Sequence, residues 1–182
     1  GDFNADGNVD LVTSNGISDD VSVFLGNGDG SFAEETRYAA DVGGTHTIDP
    51  QSLIVGDWNR DGRSDLAVLG QRISLLDGRG DGTFGSPRVV WAGYLPGSMV
   101  TGDFNGDGEP DLAGRSSGEV DFTIPTGGVL LLLGDGQGDF SAQQGFQPLG
   151  ISDPINGLAS GDLDGDGRKE VIVAGGRLIV LR

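Results

Sequence analysis

The sequence predicts an all-β chain, a segment of a β-propeller made of four-stranded antiparallel blades. About three and a half blades fit in 182 residues, as part of a seven-bladed ring. Three observations predict this. A nine-residue Asp-rich pattern begins at Asp2, Asp57, Asp103 and Asp162. Short apolar runs flank the copies in a constant order. A Gly-rich turn follows the third run in the first three repeats.

The pattern sets the frame. It reads Asp2-x-Asn4-x-Asp6-Gly7-x-x-Asp10, Asp57-x-Asn59-x-Asp61-Gly62-x-x-Asp65, Asp103-x-Asn105-x-Asp107-Gly108-x-x-Asp111 and Asp162-x-Asp164-x-Asp166-Gly167-x-x-Glu170. The spacings are 55, 46 and 59 residues, a period that points to a solenoid or propeller. A first run precedes the pattern at 52–55, 98–101 and 157–160. A second follows it at 11–13, 66–69, 112–113 and 171–174, and a third at 21–25, 73–76, 129–133 and 178–181. A fourth, more polar run falls at 36–42, 88–92 and 143–147. The runs are short and rich in Val, Ile and Leu, without a 3.6-residue stripe, so they read as strands. The expected units are a partial blade one over 1–50, blade two over 51–96, blade three over 97–155 and a partial blade four over 156–182, in a single propeller segment.

The turns after the third run are Gly26–Phe32, Asp77–Phe84 and Gly134–Phe140. Their glycines permit a tight reversal, and each Phe is expected to return to the core between blades. No helix pattern and no P-loop Lys accompany them, so a phosphate cradle is not indicated.

The pattern has the chemistry of a Ca²⁺ loop. Ca²⁺ takes six to eight hard oxygen ligands in a flexible cage. Side chains at positions 1, 3 and 5 supply oxygens, Gly at position 6 allows the bend, and position 7 offers a carbonyl (Asn8, Arg63, Glu109 and Arg168). Position 9 closes the set with Asp10, Asp65, Asp111 and Glu170. About four Ca²⁺ ions are expected, one per loop. Position 12 lies inside the apolar run and no helices flank it, so this is not an EF-hand. The absence of Cys and the oxygen-only ligands argue against zinc.

Composition narrows the function classes. The formal net charge is -17, from 28 acidic and 11 basic residues. Nearly half of the acidic residues occupy the loops, so the charge is largely a ligand inventory. No basic patch is present to meet phosphates, which excludes a nucleic-acid partner. The longest apolar run, Val129 to Leu133, suits one strand and not a membrane span. Gly1 falls inside the first motif, which reads as a processed or truncated start. With metal in place of disulfides as staples, the setting expected is extracellular or the cell surface.

These loops and strands resemble the FG-GAP family, also called VCBS-type repeats, as in the blades of the integrin alpha-subunit head. The resemblance covers essentially the whole chain, and Phe84-Gly85-Ser86-Pro87 is the nearest match to the Phe-Gly and Gly-Ala-Pro signature. It implies a Ca²⁺ loop between the first and second strands of each blade. It implies a fold and a metal, not one activity.

The functional expectation is a calcium-stabilised, non-catalytic extracellular module that binds carbohydrate or protein. Trp91, Tyr94 and His46 are the candidate ligand contacts, in or near segments that depart from the repeat. The alternative is a structural subunit of an extracellular filament or surface assembly. A part of a secreted polysaccharide-acting enzyme is a third reading; Glu119 and Asp121 in the blade-three insertion are its candidate acid/base pair, and His46 is the only His. Because the arc holds incomplete blades, a second copy or the remainder of a parent protein is expected to complete it.

Overall fold

In a computed structural model the described residues are 1–40, 52–70, 72–92, 97–115, 128–142, 155–175 and 178–181. They form four antiparallel sheets of three or four strands, the form of propeller blades. Among the described residues no closed ring is present. The chain divides into two compact units, Gly1–Asp57 with Asp61–Ala92, and Trp58–Arg60 with Gly93–Arg182.

The first unit holds two sheets. Sheet one runs β1 (Leu11–Asn15), β2 (Asp20–Phe24), β3 (Thr36–Ala39). Sheet two runs β4 (Ser52–Gly56), β5 (Asp65–Leu69), β6 (Ile73–Leu76), β7 (Arg88–Trp91). Strand neighbours in sequence are neighbours in space, so each sheet is a meander joined by the turns read from the sequence. β5 and β6 are buried along their whole length, which fits their mostly apolar sequence, Asp65 and Ser74 being the buried polar exceptions.

The unit's core lies between these sheets. Phe3, Val21 and Val23 of sheet one meet Leu66, Val68, Leu76 and Phe84 of sheet two. Phe84 stands edge-on to Phe3, with centroids 5.5 Å apart at 71°, and to Tyr38, at 5.5 Å and 76°. Its turn is fixed by the Gly82 amide, which donates to the Phe3 carbonyl at 2.8 Å. The expected return into the inter-blade core is found for Phe84 and not for Phe32, which is 40% exposed.

The second unit repeats the plan. Sheet three runs β8 (Met99–Gly102), β9 (Asp111–Arg115), β10 (Val129–Gly134), β11 (Phe140–Ala142). Sheet four runs β12 (Gly157–Gly161), β13 (Glu170–Ala174), β14 (Leu178–Leu181). Ala113 and Val129 pack with Val171 and Val173, joined by Phe104, Leu131 and Leu181. The Ser160 hydroxyl donates to the Thr101 carbonyl at 3.0 Å, and the Lys169 amide to the Asp103 carbonyl at 3.1 Å. Phe104, Ala113, Val129, Leu131, Lys169, Val171 and Leu181 line a cavity of about 110 Å³.

The expected run at 143–147 lies outside the described residues; β11 starts earlier, at the Gly134–Phe140 pair. The same pair is an isolated bridge in the other two turns, Gly26–Phe32 and Gly78–Phe84. In sheet three that bridge extends into a strand.

Candidate metal centre

Each nine-residue segment is a loop pinned by its own carboxylates. The carboxylate at position 1 accepts the amide of the Gly at position 6: Gly7 to Asp2 at 3.0 Å, Gly62 to Asp57 at 3.0 Å, Gly108 to Asp103 at 2.9 Å and Gly167 to Asp162 at 3.0 Å. The carboxylate at position 5 accepts the amide of position 7: Asn8 to Asp6 at 2.7 Å, Arg63 to Asp61 at 2.9 Å, Glu109 to Asp107 at 2.8 Å and Arg168 to Asp166 at 2.9 Å. The other oxygen of position 1 accepts a second amide: Asp6 to Asp2 at 3.2 Å, Asp61 to Asp57 at 3.1 Å, Gly106 to Asp103 at 2.7 Å and Gly165 to Asp162 at 2.6 Å. These turns gather the side chains of positions 1, 3 and 5 on an exposed rim.

The bend needs a left-handed backbone at two positions. Gly7, Gly62, Gly108 and Gly167 have φ between 81° and 93°. Position 4 is also left-handed, at Ala5 (58°), Arg60 (56°), Gly106 (81°) and Gly165 (80°). Sequence reasoning missed this second site. Its signal was the Gly in the third and fourth loops, hidden by Ala and Arg in the first two.

Positions 3 and 5 differ among the loops. Asn4 Nδ2 donates to Asp6 Oδ2 at 2.8 Å, and Asn105 Nδ2 to Asp107 Oδ2 at 2.7 Å. The Asn8 amide and then the Asn4 side chain hold the Asp6 carboxyl below its usual value. The Glu109 amide and then Asn105 do the same for Asp107. In the fourth loop Asp164 has no amide hydrogens. Oxygens of Asp162, Asp164 and Asp166 lie within 4.8 Å of one another. Three carboxylates so close repel by about 1 kcal/mol per pair even in bulk water, and a divalent cation reverses the sign. Asn59, at position 3 of the second loop, falls in the short Trp58–Arg60 segment grouped with the second unit.

The arginines at position 7 use their side chains as well as their backbone. Arg63 Nη2 reaches Asp61 Oδ2 at 2.7 Å, and Arg168 Nη2 reaches Asp166 Oδ2 at 2.6 Å. These pairs are exposed and contribute little by themselves. They place a guanidinium on Oδ2 of the position-5 carboxylate.

Position 9 is different in kind. Asp10, Asp65, Asp111 and Glu170 are buried. Asp10 accepts the Phe3 amide at 2.6 Å and the Gly26 amide at 2.8 Å. Asp111 accepts the Phe104 amide at 2.8 Å and the Gly134 amide at 3.0 Å. Asp65 accepts the Gly78 amide at 2.8 Å, and Glu170 the Leu163 amide at 2.8 Å. Burial pushes the Asp111 carboxyl up, against the pull of its two amide bonds. Asp10 and Asp111 thus tie the start of the loop to the turn after the third strand. A Cβ on Gly26, Gly78 or Gly134 would strike the carbonyl of Val9, Ser64 or Pro110, so glycine is required by close approach of backbone.

Of the expected ligand contacts, Trp91 is half-buried on the outer strand β7. His46, Tyr94, Glu119 and Asp121 lie outside the described residues.

Comparison with known proteins agrees with this geometry. The FG-GAP-like repeat profile matches residues 2–68, and the FG-GAP repeat profile matches residues 95–132. No curated protein matches. Among solved structures the chain is similar to an Agrocybe aegerita lectin that recognises non-reducing terminal N-acetylglucosamine, with a TM-score of 0.58 and 21% identity over 90% of this chain and 46% of that one. It is also similar to a chain of the Photorhabdus luminescens Tc holotoxin pore, with a TM-score of 0.53 and 20% identity over 90% of this chain and 8% of that one. The chain spans less than half the length of either, and at these identities the likeness is one of fold. FG-GAP repeats are non-catalytic structural modules of proteins that are typically extracellular. Two repeat profiles and four loops of one geometry lead to the same assignment: the chain carries FG-GAP-type repeats.

Proposed function

We propose that this chain is a calcium-stabilised extracellular β-propeller module that binds carbohydrate or protein and is not itself catalytic. The observation that carries the reading is the acidic cluster of Asp162, Asp164 and Asp166, on a loop whose turn geometry recurs in the other three. The oxygen-only donor set fits a hard divalent cation. Positions 1, 3 and 5 would hold Ca²⁺ with their side chains, and Asn8, Arg63, Glu109 and Arg168 with their carbonyls. The bound ion would neutralise the rim and brace the loop between the first two strands of each blade. Asp10, Asp65, Asp111 and Glu170 already hold that loop to the sheet.

A binding role is supported by the repeat family and by the fold shared with the Agrocybe aegerita lectin. Trp91 offers a partly exposed ring on an outer strand, of the kind that stacks on a sugar face. Tyr94 and His46 complete the candidate contact set. A glycan screen of the native chain beside Trp91→Ala tests this. A ligand bound by the native chain and lost in the variant supports it. Equal binding by both removes Trp91 from the site, and a blank screen removes carbohydrate.

One observation favours the second reading, a subunit of an extracellular assembly. Large apolar side chains stand exposed on sheets one and four, among them Leu11, Phe32, Leu163 and Leu178. In either reading, further polypeptide completes the blades into a propeller, seven blades in the expected ring.

A further inference from the structure

Position 7 of each loop offers a carbonyl to the candidate metal centre, and its side chain lies over a glycine. A Cβ on Gly28 would lie 2.5 Å from Asn8 Oδ1, one on Gly80 2.8 Å from Arg63 Cδ, and one on Gly136 2.3 Å from Glu109 Oε2. In loop four the glycine belongs to loop three: a Cβ on Gly106 would lie 2.7 Å from Arg168 Cδ. These four glycines have φ between 69° and 81°. The missing Cβ leaves room for the position-7 side chain, so each is seated in a defined place.

The seated side chain divides the loops into two kinds. Asn8 and Glu109 bring no positive charge, and Glu109 draws Arg60 onto its own carboxylate rather than onto Asp107. Arg63 and Arg168 turn a positive charge back onto their own loop. Arg63 Nη2 donates to Asp61 Oδ2 at 2.7 Å. Arg168 places two donors on Asp166 Oδ2, Nη2 at 2.6 Å and Nε at 3.1 Å. The other oxygen of each carboxylate holds the backbone amide of the same arginine. One residue thus engages both oxygens of the position-5 carboxylate. In loops one and three the Oδ2 of that carboxylate takes a neutral amide instead, from Asn4 or Asn105.

We propose that Arg63 and Arg168 are built-in counter-ions of loops two and four: each neutralises its position-5 carboxylate in the metal-free loop, is displaced as Ca²⁺ binds, and so lowers the affinity of that loop for the ion. The inference rests on the calcium reading of the loops and adds which residues tune them. Its physical reason is charge. An ion and a guanidinium held by one carboxylate repel each other even in bulk water, whereas a neutral amide meets no such repulsion. The arginine is able to leave. Its side chain is 47% exposed at Arg63 and 58% at Arg168, and an exposed ion pair is weak. In loop four two features then act in opposite directions. Asp164 completes a cluster of three carboxylates that draws a cation, and Arg168 fends it off.

NMR of the full chain through a Ca²⁺ titration at low salt tests this, on the native protein, Arg168→Gln and Arg168→Lys. The carboxyl carbons of Asp162, Asp164 and Asp166 report the ion in loop four, and the Arg168 Nε–H resonance reports the arm. Arg168 is exposed, so both variants are expected to fold, as their melting curves check. In the native chain the Nε–H resonance is expected to shift over the same Ca²⁺ range as the three carboxyls. Arg168→Gln is expected to bind the ion in loop four about three- to tenfold more tightly, a gain that fades in about 1 M salt. Arg168→Lys keeps the charge and is expected to stay within about twofold of the native chain. Equal affinity in the native chain and Arg168→Gln overturns the proposal. So does a Lys variant as tight as the Gln variant, or an Nε–H resonance that Ca²⁺ leaves in place. In each of those results loop four still takes the ion, and the calcium reading stands. Carboxyl resonances that Ca²⁺ moves in none of the three proteins overturn the calcium reading of the loop, and the proposal with it.

Discussion

The Gly134 amide donates to Asp111 Oδ1 at 3.0 Å, across 23 residues of chain. The other oxygen of Asp111 takes the Phe104 amide at 2.8 Å. The Asp111 side chain is buried, so its oxygens have little access to water in place of these amides. An Asn here keeps one acceptor and turns an N–H toward the other donor. We expect Asp111→Asn to lower stability by about 1–3 kcal/mol, the range for a buried group left unpaired. The loss should appear in EDTA as fully as in calcium. Asp107→Asn, on the exposed rim, should be nearly silent in EDTA. Urea unfolding in both buffers checks this; a metal-free Asp111→Asn protein as stable as the native chain would show that the carboxylate is no clamp.

Ala5 is held at φ 58°, where its counterparts in the third and fourth loops are Gly106 and Gly165. A Cβ in this region costs roughly 1–2 kcal/mol. Some of that is returned by the greater freedom of an unfolded Gly. Ala5→Gly should therefore raise stability by about 0.5–1 kcal/mol. Its urea midpoint should rise, with an unchanged slope.

Ala113 lines the cavity of about 110 Å³ between sheets three and four. Its equivalent in sheet one is Val12, and in the first unit Phe84 packs into the matching contact. Ala113→Val adds two methyl groups to space already present. The expected gain is about 0.5–2 kcal/mol, read as a rise in melting temperature.

Asp29 and Asp81 make the same turn in two blades. Asp29 Oδ1 accepts the Ser31 hydroxyl at 2.6 Å and its amide at 2.9 Å. Asp81 Oδ1 accepts the Thr83 hydroxyl at 2.6 Å and its amide at 2.9 Å. These bonds, the hydroxyl first, hold both carboxyls below the usual aspartate value. A carboxyl depressed in the folded state stabilises it fully above the unfolded value, and that stability is lost as pH falls through the folded value. Ser31→Ala should move the Asp29 titration upward and leave Asp81 in place. Carboxyl-carbon NMR titration of both residues reads this directly.

Much of this was legible because the repeat supplies its own frame. The runs at Ile73–Leu76 and Leu178–Leu181 are strands with those bounds. Val, Ile and Leu between Gly-Asp turns leave no helical alternative there. The start of the fourth strand of sheet three at Phe140 was not legible, because Phe140 pairs through a turn bridge and not through an apolar run. The amide-clamping role of position 9 was not legible either. An Asp that ligates and an Asp that receives buried amides read alike; only burial and the distant Gly partner separate them. The left-handed position 4 was masked by Ala5 and Arg60, residues that rarely adopt it.

The central claim is that the four loops take up Ca²⁺ and that the ions brace the blades. Thermal unfolding of the native chain in EDTA, followed by stepwise addition of Ca²⁺, tests it most directly. A ligand bound only by the folded state raises the melting temperature with its concentration. The account predicts a low melting temperature in EDTA, a progressive rise with Ca²⁺, and calorimetric saturation near four ions per chain. An EDTA curve that coincides with the calcium curve would contradict it.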